Sequence, residues 1–359
     1  MSRRVDRIGV IIPARHDGEN AQRLVTAVLR SADEVADIVT VILADDGENG
    51  HFGTGLPDDP RLLVATTTEH GPGYARAAGV RLFAQQTREL RAREEHCWVI
   101  SLDADVTIPE DFLTSWLDQI TRSSAELLTA PAHFGSVNGE PLLNDDVNAA
   151  SAWMWSDTTF YERFVGVVNL GGSNHAISLA CYNAVGGYLQ PTAELDGRQV
   201  LVAGDDWDFG LRARLRGYAI ERVEAPLVIA STRRIAADPV GFLSGRTYEG
   251  IFAPVPTDGA SEPWPPSEPW NSVVTRGRAR IFAHFLLKPL LAGLKPLGAI
   301  EWFVGRELSD ELAAILERSP ALDIDWNEFR TTLIGMIFED DVFSFCRRAA
   351  AQLTGGEQR

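Results

Sequence analysis

The first 130 residues switch between two apolar patterns. Residues 8–13 (IGVIIP) are an unbroken, β-branched apolar run stopped by Pro13, as expected of a strand buried on both faces. Residues 19–31 place Leu24, Val25, Val28 and Leu29 at helical spacing. The alternation continues with a strand over 38–44, a polar Gly/Asp/Pro loop to Pro60 and a strand over 61–66. A helix over 74–95, a strand over 97–102, a helix from Pro109 to 123 and a strand over 126–130 follow. This pitch predicts an α/β fold with a doubly wound, mostly parallel sheet and helices on both faces. Such sheets bind ligands beyond the carboxyl ends of their strands. The acidic clusters Asp45-Asp46 and Asp103-Ala104-Asp105 fall at two such ends.

The second half is less regular. A helix is expected over 146–168, rich in Trp153, Trp155, Phe160, Tyr161 and Phe164, and reads as core. Gly171-Gly172 leads into a strand over 175–179, Gly186-Gly187 is a turn, and residues 205–217 read as a helix followed by strands over 219–223 and 227–230. Residues 260–271 (ASEPWPPSEPWN) are too rich in proline and tryptophan for a helix or central strand. From 275 to 353 the pattern is helical. The expected organisation is an α/β domain over 1–245, a Pro/Trp-rich loop over 246–274 and a helical C-terminal region over 275–359.

Composition narrows the function. With 33 basic and 50 acidic residues the chain carries a net charge of −17. That field repels phosphate backbones and anionic headgroups, which excludes nucleic acid as the main partner but allows a local cationic pocket for a small anion. Cys97, Cys181 and Cys346 match no disulfide framework or zinc spacing, so they read as reduced thiols of a cytoplasmic protein. The start shows no signal-peptide pattern. No apolar run reaches the ~18 residues of a membrane span. Residues 281–305 come nearest but contain His284, Lys288, Pro289, Lys295, Pro296 and Glu301, and read as amphipathic helices that are buried or lie on a surface. Peripheral membrane contact and a homodimer stay open.

Four polar clusters have both a bland and a chemical reading. Asp45-Asp46-Gly47 alone is a polar turn. Asp103-Ala104-Asp105 can cap the following helix, or point two carboxylates the same way from an extended segment. Gly204-Asp205-Asp206-Trp207-Asp208 can be an acid-stabilised helix start, with an Asp208–Arg212 pair on its flank. Ser231-Thr232-Arg233-Arg234 can be a solvated basic loop.

Taken together and in this order, the clusters resemble a glycosyltransferase of the GT-A fold, in the large inverting family two. Residues 8–18 (IGVIIPARHDG) resemble its opening strand and Pro loop, and 44–47 its nucleotide-binding acidic turn. Residues 71–79 (GPGYARAAG) resemble its Gly-rich segment with an Arg, and 102–105 its D-x-D metal motif. Residues 171–177 (GGSNHAI) are similar to its acceptor-side glycine turn, and 204–218 (GDDWDFGLRARLRGY) to its catalytic helix. The resemblance spans residues 7–234. It implies a nucleotide-diphosphate sugar donor, UDP by default with dTDP or GDP alternatives, held by Pro13, Arg15, Asp46, Arg76, Asp103, Arg233 and Arg234. It implies Mg²⁺ or Mn²⁺ on Asp105 and Asp103, with His284 a candidate third ligand. A hydroxyl acceptor would meet Gly172, Asn174, Trp207 and Trp264. Asp206 is implied as the general base of an inverting transfer, with Asp205 beside it. Two residues depart from or blur the pattern: His16 stands where the family often has Asn, and His175, like His284, reads either as a metal ligand or as a packed histidine.

Three other readings compete. A retaining GT-A enzyme would use the same residues. A non-catalytic nucleotide-sugar-binding domain would bind donor without turnover. A nucleotidyltransferase would carry a Gly-rich basic loop after the first strand, whereas residues 13–18 offer only Arg15.

Overall fold

The computed structural model describes residues 3–14, 18–47, 55–135, 170–190 and 204–244, the backbone of 192–195 and 198–201, and residues 145, 147–150, 168, 310 and 314. In chain order the elements are β1 (Arg7–Ala14), α1 (Gly18–Ser31), β2 (Val39–Asp45), β3 (Leu62–Thr66), α2 (Pro72–Glu89), β4 (Cys97–Ser101), β5 (Val106–Thr107) and α3 (Phe112–Arg122). Next come β6 (Leu127–Thr129), β7 (Ala132–Gly135), β8 (His175–Ser178), α4 (Leu179–Val185), β9 (Thr192–Leu195), β10 (Arg198–Leu201) and α5 (Asp205–Leu215). The last are β11 (Ile220–Arg222), β12 (Val228–Ser231), α6 (Arg233–Ala237) and α7 (Pro239–Ser244).

The chain divides into two compact units. One comprises Met1–Glu140, Asn169–Gln190 and Asp205–Thr232; the other comprises Pro141–Val168, Pro191–Gly204 and Arg233–Arg359. The first unit holds a seven-stranded sheet of order β11-β6-β8-β4-β1-β2-β3. Its α/β, mostly parallel character is the one the alternating pattern predicts. A three-stranded sheet, β5-β12-β7, lies in the same unit. The second unit includes the β9–β10 hairpin.

Side-chain alternation along β1 explains why both faces are covered. Ile8, Val10 and Ile12 join one core with α1 (Leu24, Val25, Val28) and α3 (Phe112, Leu113, Trp116). Gly9 and Ile11 point the other way, towards α2. A Cβ on Gly9 would meet the Phe83 ring at 2.6 Å, and one on Gly79 would meet Ile11 at 2.7 Å. The small face of α2 (Ala75, Ala78, Gly79) therefore lets the helix lie close on β1 and β2. That approach carries the start of α2, with Arg76, to the carboxyl ends of the strands.

One strand departs from the parallel expectation. β8 runs antiparallel between β4 and β6, with His175 opposite both Ser101 and Thr129. All four of its residues are buried, so its apolar pattern carries no directional signal. Because it runs backwards, its first residue sits at the carboxyl edge of the parallel strands. The Gly171-Gly172 turn is thereby delivered to the same edge as Asp103.

Smaller differences have local causes. The helix expected over 74–95 ends at Glu89, and Arg91 takes a left-handed φ of 55° before a short 3-10 turn at Glu94–His96. The strand read over 227–230 pairs with β7 and β5 rather than joining the main sheet. Arg233 and Arg234, read as a basic loop, open α6 in the second unit. The aromatic helix read over 146–168 lies outside the described residues except for 147–150, which are helical, and 168, which is not. Both domain boundaries placed after 245 also lie outside them. Among the described residues no helix is long and apolar enough to cross a membrane.

Candidate active site

At the end of β2, Asp45 turns the chain: its Oδ1 accepts the Gly47 N–H at 2.8 Å. Asp46 is only 3% exposed. Its Oδ2 accepts the Gly71 N–H at 2.6 Å, and its carbonyl oxygen lies 2.9 Å from His70 Nδ1. The Asp46 Oδ1 is buried and meets no hydrogen-bond donor among the described residues. An unmet buried acceptor costs roughly 1–3 kcal/mol, and an N–H group brought by a ligand would remove that cost.

Two strands away, β4 ends at Ser101 and the chain turns through Asp103 and Asp105. Here Arg76 is the hub. It is 3% exposed and every edge of its guanidinium is occupied. Nε donates to Ser101 Oγ at 2.9 Å, and Nη1 donates to both carboxylate oxygens of Asp205 at 2.6 and 2.7 Å. Nη2 donates to Asp103 Oδ1 and, at 3.4 Å, to the Gly172 carbonyl. Burial works against the Arg76 charge, but Asp205, Asp103 and Asp206 overcome it and hold its pKa above the ordinary value. Arg76, expected to touch the donor diphosphate, is spent on tying α2 to β4 and α5. Asp205 is correspondingly its counter-ion, although burial pushes the Asp205 carboxyl up against that attraction.

Asp206 is placed differently. It is 7% exposed at the N-terminus of α5. Burial and then the charge of Asp205 push its pKa up to about 7, against the pull of Arg76 and a backbone hydrogen bond at Trp207. A Cβ on Gly172 would come within 2.8 Å of Asp206 Oδ2. Only a glycine lets the turn and the carboxylate lie this close. The result is a carboxylate poised between its acid and base forms at neutral pH, beside backbone.

Other expected site residues are used structurally. Asn174 is 1% exposed: its amide donates to the Pro131 and Pro226 carbonyls at 3.0 and 2.7 Å, and its oxygen accepts from Trp116 Nε1 at 3.2 Å. It pins the interior rather than facing an acceptor. Asp208 pairs with Arg212 at 2.8 Å, both side chains 3% exposed, and Arg212 also donates to the Val185 and Gly187 carbonyls that end α4. Trp207 is buried, and Pro13 is buried within β1. Arg15, Trp264 and His284 lie outside the described residues.

The sequence reading missed Ser101, which receives Arg76, and Tyr188, which bonds His175; the run Gly186-Gly187-Tyr188 is the one signal that could have raised Tyr188. His175 itself is fully buried. Its Nδ1 lies 2.6 Å from the Gly171 carbonyl and its Nε2 2.5 Å from the Tyr188 hydroxyl. A carbonyl can only accept, so Nδ1 carries the proton and Nε2 accepts from Tyr188. Burial, then the Arg76 charge, takes the imidazole down to about 3, so it stays neutral.

Among the described residues no three His, Cys, Asp or Glu side chains form a ready-made metal cluster. The pair Asp103 and Asp105 nevertheless suits a hard divalent ion. The Asp103 side chain is 41% exposed and gives Arg76 only Oδ1, and Asp105 is half-buried two residues on. Mg²⁺ and Mn²⁺ take such oxygen donors and complete their shells with phosphate and water.

The model for glycosyl transferase family 2 matches residues 9–177, a little under half of the chain. The match takes in Asp46, Arg76, Asp103, Asp105 and Gly172 and ends before α5. No curated protein sequence matches the chain. Among solved structures, S. aureus TarS is 14% identical over 92% of this chain, with a TM-score of 0.44; this chain covers 55% of its length. TarS 1-349 in complex with UDP-GlcNAc is 15% identical over 91% of this chain and 90% of its own, TM-score 0.42. The mannosyltransferase PcManGT from Pyrobaculum calidifontis, in complex with GDP-Man and Mn2+, is 14% identical over 99% of this chain and 90% of its own, TM-score 0.47. The part of the chain similar to glycosyl transferase family 2 thus runs over residues 9–177 and stops short of the Asp205-Asp206 pair.

Proposed function

We propose that this protein transfers a sugar from a nucleotide-diphosphate donor to an acceptor hydroxyl with inversion, and that Asp206 is the general base. The observation that carries the reading is the Asp206 carboxylate. It is buried, raised to about 7, pressed on Gly172 and one residue from the Arg76-bound Asp205. A base whose pKa lies near the working pH combines availability with proton affinity.

The remaining roles follow from the same edge. Asp46 accepts an N–H of the nucleobase through its unmet Oδ1; the imide N–H of uracil or thymine and the ring amide N–H of guanine each offer one. Asp103 and Asp105 hold Mg²⁺ or Mn²⁺, which when bound offsets the diphosphate charge and stabilises it as a leaving group. Asp206 removes the hydroxyl proton as that oxygen bonds to the anomeric carbon. The C–O bond to the diphosphate breaks on the opposite side, its electron pair leaving with the nucleotide. A single displacement of this kind inverts the anomeric centre. Arg76 keeps Asp205 and Asp103 in place throughout.

A thermal-shift panel of UDP, dTDP, GDP and ADP, with and without Mn²⁺, tests the reading. UDP, dTDP or GDP, whose bases carry a ring N–H beside a carbonyl, should raise apparent stability by about 2.7 kcal/mol at a hundredfold excess over Kd. Asp46→Asn should abolish that shift: the Gly71 N–H claims the amide oxygen, so an NH₂ group faces the base N–H. Stabilisation by none of the four, in wild-type protein, overturns the proposal.

A further inference from the structure

We propose that His175 and Tyr188 are positioning residues: through their mutual hydrogen bond they lock the Gly171-Gly172 turn against the Asp206 carboxylate. The inference rests on the reading of Asp206 as the base. It extends that reading to two residues that touch neither donor edge nor cation site.

The connection forms a closed circuit. The Gly171 carbonyl accepts from His175 Nδ1 at 2.6 Å, and the Gly171 N–H donates to Thr129 Oγ1 at 3.2 Å. His175 Nε2 accepts from the Tyr188 hydroxyl at 2.5 Å. The Tyr188 N–H donates to the Tyr182 hydroxyl at 3.2 Å. The Tyr188 ring packs against Phe209 with centroids 5.3 Å apart, and Tyr182 stacks on the same Phe209 at 5.7 Å. Phe209 lies on α5, three residues beyond Asp206. The turn and the helix that carries the base are thus clamped to one aromatic cluster. Where they meet, a Gly172 Cβ would approach Asp206 Oδ2 to 2.8 Å. No water can enter a gap that narrow.

The clamp is also chemically fixed. Burial and the Arg76 charge keep the imidazole neutral, and of its two neutral tautomers only the one with the proton on Nδ1 serves both partners, since the Gly171 carbonyl needs a donor and Nε2 then accepts from the Tyr188 hydroxyl. Both rings are fully or almost fully buried, at 0% and 4% exposure. Loss of the hydroxyl leaves Nε2 buried and unmet, so the ring gains by turning towards another partner, which takes Nδ1 off the Gly171 carbonyl and frees the turn to shift from Asp206.

The test is Tyr188→Phe, which keeps the ring and removes the bond. Carboxyl ¹³C NMR of the full chain, with the Asp206 signal assigned by its loss in Asp206→Asn, reads the effect without substrate. The titration of Asp206 should fall by about one unit or more as the carboxylate gains water. Gly172→Ala, which places a methyl in the gap, should move the same signal. With the donor whose nucleotide stabilises the protein, Tyr188→Phe should lower kcat about tenfold and leave donor KM unchanged. An Asp206 titration identical in wild type and Tyr188→Phe overturns the inference, as does ¹⁵N evidence that His175 carries its proton on Nε2. Full turnover by Asp206→Asn would instead remove the base assignment while leaving the clamp measurable.

Discussion

Asp206→Asn should lower kcat at least ~100-fold while nucleotide binding, read by thermal shift, is retained. Removing a positioned general base typically costs 10²–10⁴ in rate. Asn keeps the size and can keep the backbone hydrogen bond at Trp207, so packing against Gly172 is preserved. The nucleotide contacts proposed for Asp46, Asp103 and Asp105 lie in the turns after β2 and β4 and should not notice. Equal turnover by mutant and wild type removes the assignment.

The same substitution has a second signature, of known sign. In the unfolded chain Asp206 has the ordinary carboxylate pKa of 3.8; in the folded protein it lies at about 7. Between these values the folded protein binds the extra proton. Stability from this group is therefore fully present below pH 3.8, erodes as pH rises and is gone above about 7. Asp206→Asn escapes that erosion, so the mutant should gain on wild type from pH 4 to pH 7, by on the order of a few kcal/mol at its upper end. Urea denaturation at both pH values measures it. Activity runs the other way: kcat/KM of wild type should climb about tenfold per unit below pH 7 and level above it. A base held ready at neutral pH destabilises the fold there, which is the expected relation between a strained site and stability.

How much of this was legible beforehand differs residue by residue. The residues 8–13 run could be read as a buried strand because both its faces are covered, leaving no polar positions to confuse the period. The Asp45-Asp46 and Asp103-Asp105 clusters could be placed at strand ends because the strands before them are clear. The Asp208–Arg212 pair was visible as an i,i+4 spacing, and the structure keeps it. What did not show was which polar residues turn inward. Arg76 looks like a phosphate ligand in GPGYARAAG, but its partners Asp205 and Asp103 come from 129 and 27 positions away. No local pattern reports such a pairing. Asn174 is hidden for the same reason: its partners at Trp116, Pro131 and Pro226 are brought in by the sheet. The direction of β8 was invisible because four buried residues in a row look alike from either end.

Arg76→Met should be the most destabilising single change in the domain, costing about 3–5 kcal/mol, because it leaves a buried carboxylate without its partner. The methionine fills much of the same volume, so the loss is electrostatic rather than a cavity. Asp205 is 4% exposed and both its oxygens face Arg76. Without the guanidinium, burial and the Asp103 charge act on it against only a backbone hydrogen bond, so its pKa must rise further. A group raised in the folded state is stabilising at low pH and costly at high pH. The destabilisation should accordingly be small near pH 4, where Asp205 can be protonated in both states, and full at pH 7.5. Adding Asp205→Asn to Arg76→Met should recover most of the loss, since removing both partners of a buried pair is far cheaper than removing one. If Arg76 instead serves mainly as a phosphate ligand, Arg76→Met will fold as well as wild type at pH 7.5 and lose only nucleotide binding. The double mutant will then gain nothing. Chemical denaturation of the three variants at the two pH values separates these outcomes without any substrate.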